Sequence, residues 1–146
     1  MRHLTKRHKP FYKAINHTAD FGFDVFGKTR KELFQHAATA LFASLTDLNR
    51  VQARQERTLT ITGADLSDLL INYLRELLYL FTGTAFLVGS VDIVHMGQKS
   101  LTMIARGEPY NPQKHEILTE IKAVTYHQGT VRKTPAYWQG RFIVDV

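Results

Sequence analysis

The sequence predicts an α+β fold: a compact single domain with a largely antiparallel sheet and two helices packed on one face. Three observations predict it. Short runs with alternating apolar residues recur along the chain, two longer stretches carry apolar residues at helical spacing, and most of the strand-like runs follow the second stretch. Strands grouped in this way favour antiparallel pairing over the regular strand–helix alternation of a parallel sheet. A chain of 146 residues, 44% hydrophobic and 22% charged, is also long enough to bury one core without staples.

Taken in order, Phe21, Phe23 and Val25 alternate with Asp20, Gly22 and Asp24, which describes a strand with one apolar face and places Asp20 and Asp24 together on the other. Thr29 and Glu32 have capping-box spacing at the head of a helix, on which Leu33, Phe34, Ala37, Leu41 and Leu45 form the apolar stripe. The β-branched run Thr58 to Thr62 reads as a strand ending before Gly63. Asp65 caps a second helix whose broad apolar face runs from Leu66 to Phe81, ending near Thr82 and Gly83. Strands at about Phe86 to Met96 and Ser100 to Gly107 are joined as a hairpin through Gly97, Gln98 and Lys99. Ile121 to His127 and Trp138 to Val146 complete the set. Residues 1–10 read as a basic, flexible leader and residues 11–146 as the one domain.

Composition narrows the function. The absence of cysteine excludes disulfides, thiolate metal sites and a cysteine nucleophile. No apolar run reaches the roughly 18 residues of a membrane span, and the leader lacks the hydrophobic stretch of a signal peptide, so a soluble, cytoplasmic protein is expected. A formal net charge of +6 suggests polyanions or an acidic protein surface as neighbours. Four of those charges, Arg2, Lys6, Arg7 and Lys9, lie in the leader, which reads equally as a solvated tail. There is no Walker-type phosphate loop, no GxGxxG after a strand and no GxSxG elbow, which points away from a complete enzyme; no catalytic residue is assigned.

The chemistry that remains is carried by two aspartates at opposite ends of the chain, Asp20 and Asp145, with Val146 beside the second. Were folding to join them, two carboxylates and the terminal carboxylate of Val146 would make an all-oxygen set for a hard divalent cation: calcium, magnesium or manganese rather than zinc. From spacing alone both also fit solvated acids at strand ends, because periodicity carries no information on their pairing. His17, three residues before Asp20, and His127, at the end of a predicted strand, belong to no zinc spacing and read as hydrogen-bonding structural histidines. Lys122 either offsets an acidic cluster or snorkels from a sheet, and Glu76 is either a polar-face residue of the second helix or an acid aimed at the metal region.

These same residues resemble the archease family. The resemblance rests on His17-Thr18-Ala19-Asp20-Phe21-Gly22-Phe23, Glu32-Leu33-Phe34 with Ala37-Ala38, the helix Leu74-Arg75-Glu76-Leu77-Leu78-Tyr79-Leu80-Phe81, Gly107-Glu108, Lys122-Ala123-Val124-Thr125-Tyr126-His127 and the closing Val144-Asp145-Val146, and covers nearly everything from Phe11 onward. It implies an archease-like α+β domain holding a divalent metal, usually calcium, through the residues that map onto Asp20, Asp145 and Val146. It also implies a non-catalytic cofactor protein for a GTP-dependent RNA ligase in tRNA splicing or RNA repair, promoting guanylylation of the ligase and multiple turnover. His17, Glu76, Lys122 and His127 then stand around the metal ligands or face the partner, and RNA contact is indirect or made through the basic N-terminus. The alternative is a chaperone or specificity modulator of a tRNA methyltransferase, a role the family has also been linked with. The basic charge and Arg75, where asparagine is common, depart from the family pattern.

Overall fold

The computed structural model describes residues 11–16 and 20–146; the basic leader and the segment His17-Thr18-Ala19 lie outside the described residues. Among the described residues seven strands and two α-helices follow in the order β1 (Tyr12–Asn16), β2 (Asp20–Gly27), α1 (Arg30–Leu45), β3 (Gln55–Thr62), α2 (Leu66–Thr82), β4 (Phe86–Met96), β5 (Ser100–Pro109), β6 (Ala123–Lys133) and β7 (Trp138–Asp145). Every strand pair is antiparallel. The α+β class, the antiparallel pairing and both helices are those the sequence predicts.

The strands divide between two sheets, where the sequence suggested one. Four strands pair in the order β1-β2-β7-β6 and three in the order β3-β5-β4. The helices form a layer shared by both, since α1 packs on β2 and β4 while α2 packs on β6, β4 and β3. This explains the different character of the two helices. Leu33, Phe34, Ala37, Ala38, Ala40, Leu41, Phe42 and Leu45 bury α1 on two sides, whereas α2 keeps Arg75, Glu76 and Tyr79 exposed on a solvent face. Phe23, Phe142 and Val144 from the four-stranded sheet join Met103, Ala105 and Leu87 from the three-stranded one in a common core.

Local signals behave as the residue chemistry requires. Thr29 Oγ1 accepts the Glu32 N–H at 3.1 Å, and Glu32 reaches back to the Lys28 N–H at 2.6 Å, so both sides of the cap are satisfied. Asp65 accepts the Asp68 N–H at 2.8 Å at the head of α2, while Asp68 accepts the Ala64 N–H at 2.8 Å. The far end of α2 differs from expectation: Gly83 stays right-handed, and Ala85 takes the left-handed conformation at φ 58° as its N–H bonds to the Phe81 carbonyl at 2.9 Å. Strand β1, Tyr-Lys-Ala-Ile-Asn, carries no clear alternation and is an addition to the strands the sequence predicts. Strand β6 begins at Ala123 and runs to Lys133, well past the expected end at His127, across an irregularity between Thr125 and Thr130 where Gln128 has φ 59°.

Candidate functional site

Strands β2 and β7 are neighbours in the four-stranded sheet, and their register sets Asp20 directly opposite Asp145. Backbone alternation fixes how close the side chains come. The Phe26 N–H bonds to the Phe11 carbonyl on the β1 side, so even-numbered residues of β2 turn their main-chain groups away from β7. Asp20 and Asp145 are therefore a non-hydrogen-bonded pair, the kind in which Cα atoms stand only about 4.5 Å apart. The same logic applies to Asp24 and Arg141, four residues along the same face. There the side chains do meet: Arg141 Nε donates to Asp24 Oδ1 at 2.7 Å and Nη2 to Oδ2 at 3.0 Å. That bidentate contact with Asp24 raises the affinity of the guanidinium for its proton.

The two acidic positions thus have different surroundings. Asp24 is buried and neutralised by Arg141, with Gly22 and Ile143 forming the next pair along the face. Asp20 and Asp145 follow, both half-buried, and among the described residues neither carboxylate has a hydrogen bond or ion pair. Two like charges opposed across a strand pair repel one another, and a divalent cation is the simplest counter-charge. The donor chemistry fits a hard cation. Among the described residues no group of three or more His, Asp or Glu side chains gathers to hold a metal, so a cation at this pair would meet two side-chain carboxylates, with an oxygen of the exposed Val146 adjacent in sequence. A six- to eight-coordinate calcium would draw its remaining oxygens from water or a partner.

The other candidates are placed differently. Lys122 lies just before β6, exposed, and its N–H donates to the Asp145 carbonyl at 2.8 Å. With Glu76, Arg75 and Tyr79 of α2 it lines an open groove of about 230 Å³, so Lys122 and Glu76 share the flank of the sheet on which Asp145 ends. His127 is exposed at the β6 irregularity, its N–H bonded to Thr125 Oγ1 at 3.2 Å, and stands apart from the acidic pair. His17 lies outside the described residues.

Sequence reasoning missed a second charged cluster. Glu108 on β5 is buried, and its Oε2 accepts the Gln52 N–H at 2.9 Å, Lys114 Nζ at 2.7 Å and His115 Nε2 at 2.9 Å. The Asn111 N–H donates to His115 Nδ1 at 2.9 Å, which leaves Nε2 to carry the proton toward Glu108. Burial alone would push the Glu108 carboxyl up, but the Gln52 amide, Lys114 and His115 outweigh it and bring it down to about 2. Sharing one oxygen among three donors, the cluster ties residues 111–115 and Gln52 to the end of β5. Only the dipeptide Gly107-Glu108 hinted at it in the sequence.

The model of the archease protein family (MTH1598/TM1083) matches residues 12–146. The chain is 37% identical over 139 residues to protein archease of Methanosarcina mazei, covering 92% of this chain and 95% of that one. It is 34% identical over 140 residues to protein archease of Pyrococcus furiosus, covering 92% and 98%. Among solved structures it is similar to the solution structure of protein 1598 of Methanobacterium thermoautotrophicum, with TM-score 0.79 and 32% identity over 94% of this chain and 99% of that chain. It also shares its fold with the crystal structure of a Thermotoga maritima archease described as a possible chaperone, at TM-score 0.63 and 20% identity over 92% of this chain and 96% of that chain.

Proposed function

The chain belongs to the archease family, and from that premise we propose that it is a metal-binding, non-catalytic accessory protein that activates a GTP-dependent RNA ligase in tRNA splicing or RNA repair. The observation that carries this reading is the opposition of Asp20 and Asp145 across β2 and β7, next to an Asp24 that Arg141 already satisfies. Asp20, Asp145 and an oxygen of Val146 hold a divalent cation, calcium by preference, with magnesium and manganese compatible with the same oxygens. When bound, that cation supplies positive charge for phosphate or nucleotide oxygens in the ligase's own site. The chain's residues bind and present it: the two-strand ladder fixes the carboxylate spacing, while Lys122 and Glu76 sit on the adjoining flank where a partner would approach.

A stimulation assay tests this. Purified ligase with GTP and RNA ends should turn over repeatedly with the wild-type chain, and Asp20→Asn or Asp145→Asn should each abolish guanylylation enhancement while leaving the fold intact. Full stimulation by both variants would sink the reading. A second reading, chaperoning of a tRNA methyltransferase, is favoured by the description of the Thermotoga maritima relative as a possible chaperone. It requires stable association with the methyltransferase and none with the ligase.

A further inference from the structure

The edges of the two sheets are not equally protected. Strand β4 is broken by two register shifts, between Val88 and Ser90 and between Ile93 and His95, and β6 by one, with exposed His127, Arg132 and Lys133 along it. Bulges and charges are the usual means of discouraging further strand pairing. Strand β3 has neither device where it matters. Its eight residues pair with β5 without a shift, and from Thr58 to Thr62 it contains no charge, proline or glycine.

The orientation of its free groups can be worked out. The Gly63 N–H donates to the Lys99 carbonyl at 2.9 Å, continuing the β3–β5 register by one pair. By alternation Leu59 and Ile61 bond to β5, and Thr58, Thr60 and Thr62 turn their N–H and C=O groups to the open side. Asn72 agrees with this direction, since its Nδ2 donates to the Thr62 carbonyl at 2.9 Å from α2. Among the described residues the main-chain groups of Thr58 and Thr60 have no protein partner on that side.

That side is a groove. It measures about 440 Å³, with Leu59 to Thr62 as one wall and Asn72, Arg75, Glu76 and Tyr126 as the other. The second wall is held in place by its own contacts. The Tyr126 hydroxyl donates to Asn72 Oδ1 at 2.7 Å, while Arg75 lies 4.9 Å from the Tyr126 ring centre and donates to the Val124 carbonyl at 3.3 Å. Among the described residues Arg75 has no carboxylate partner.

We propose that this groove receives an extended, acidic peptide segment of a partner protein, which adds to β3 as a further strand by main-chain bonds to Thr58 and Thr60 and places a carboxylate on Arg75. Four outward main-chain groups in a row select an extended backbone over a helix. Charge selects the side chain: the chain is +6 overall, and Arg75 is a preset cation in the wall. Glu76 beside it repels a continuous acidic run, so an isolated Asp or Glu among neutral β-forming residues fits best. A second copy of this chain fits poorly, because it carries the same net charge and its matching edge, Thr58 to Thr62, brings no carboxylate. The inference is independent of the metal reading.

The test is selection of a phage-displayed random heptapeptide library on the full chain, in EDTA so that cation binding plays no part. Enriched peptides should combine β-branched residues with a single Asp or Glu and slow hydrogen exchange at the Thr58 and Thr60 amides. Thr60→Pro should weaken them by at least about tenfold, since its ring replaces an outward N–H and leaves the β3–β5 ladder whole; Arg75→Glu should do the same. Methylating alternate amides of the peptide should abolish binding by the wild-type chain, which keeps the test open should the proline variant unfold. Failure to enrich any sequence, equal binding of the methylated peptide, or protection confined to other strands would overturn the proposal. So would protection of Thr58 and Thr60 that grows with protein concentration alone, which would assign the edge to self-pairing.

Discussion

Arg141 distinguishes two acidic positions that look alike in the sequence. Asp24 and Asp20 share one face of β2, but only Asp24 faces a guanidinium, so Asp24 serves folding while Asp20 and Asp145 face each other. Arg141→Ala should leave the buried Asp24 carboxylate unpaired and lower unfolding stability by about 1–3 kcal/mol in urea titration. Asp20→Asn should not lower it in metal-free buffer, because it removes one of two opposed like charges. Glu108 predicts a pH effect of defined sign. Its folded-state value of about 2 lies below its ordinary 4.5, so its stabilisation is complete above the unfolded value and fades as pH falls from about 4.5 toward 2. The gap in urea midpoint between wild type and Glu108→Gln should therefore be widest at pH 7 and shrink at pH 3; a constant gap would show that the Glu108 charge is not what the cluster stabilises.

At the scale of elements, those with local signals were legible. Thr29 with Glu32 and Asp65 with Asp68 announce their helices because the chemistry of capping is local, and Thr29→Ala should cost about 1 kcal/mol in a thermal or urea melt. The hairpin through Gly97 was equally visible, and its first turn closes with the Gly97 N–H on the Ser100 carbonyl at 2.8 Å. The far half of β6 was hidden because Gln128 and Gly129 interrupt the alternation that marks a strand, and β1 because the adjacent Ala14 and Ile15 break the alternation begun by Tyr12 and Lys13. The left-handed residue after α2 fell on Ala85, where composition offers no hint. Close packing was also invisible: a Cβ at Gly107 would lie 1.8 Å from the Leu87 carbonyl oxygen. Gly107→Ala should therefore force β4 away from β5 and cost several times the usual core substitution, read as loss of the cooperative melt; near-native stability would show that the two strands can separate locally.

At the scale of the molecule, the division into two sheets and the site itself depend on long-range pairing. The last strand, β7, inserts between β2 and β6, and this single topological step sets Asp145 opposite Asp20. No periodicity carries that information; the family resemblance alone suggested that the two ends belong together. The register supplies the physical reason, and the comparisons supply the family. The proposed function stands on Asp20 and Asp145 acting as one cation site. Isothermal titration of calcium into the metal-free chain addresses it most directly: a single site is predicted for the wild type, weakened by at least about tenfold in both Asp20→Asn and Asp145→Asn. Calcium binding of undiminished affinity in either variant would mean that the two aspartates do not form one site.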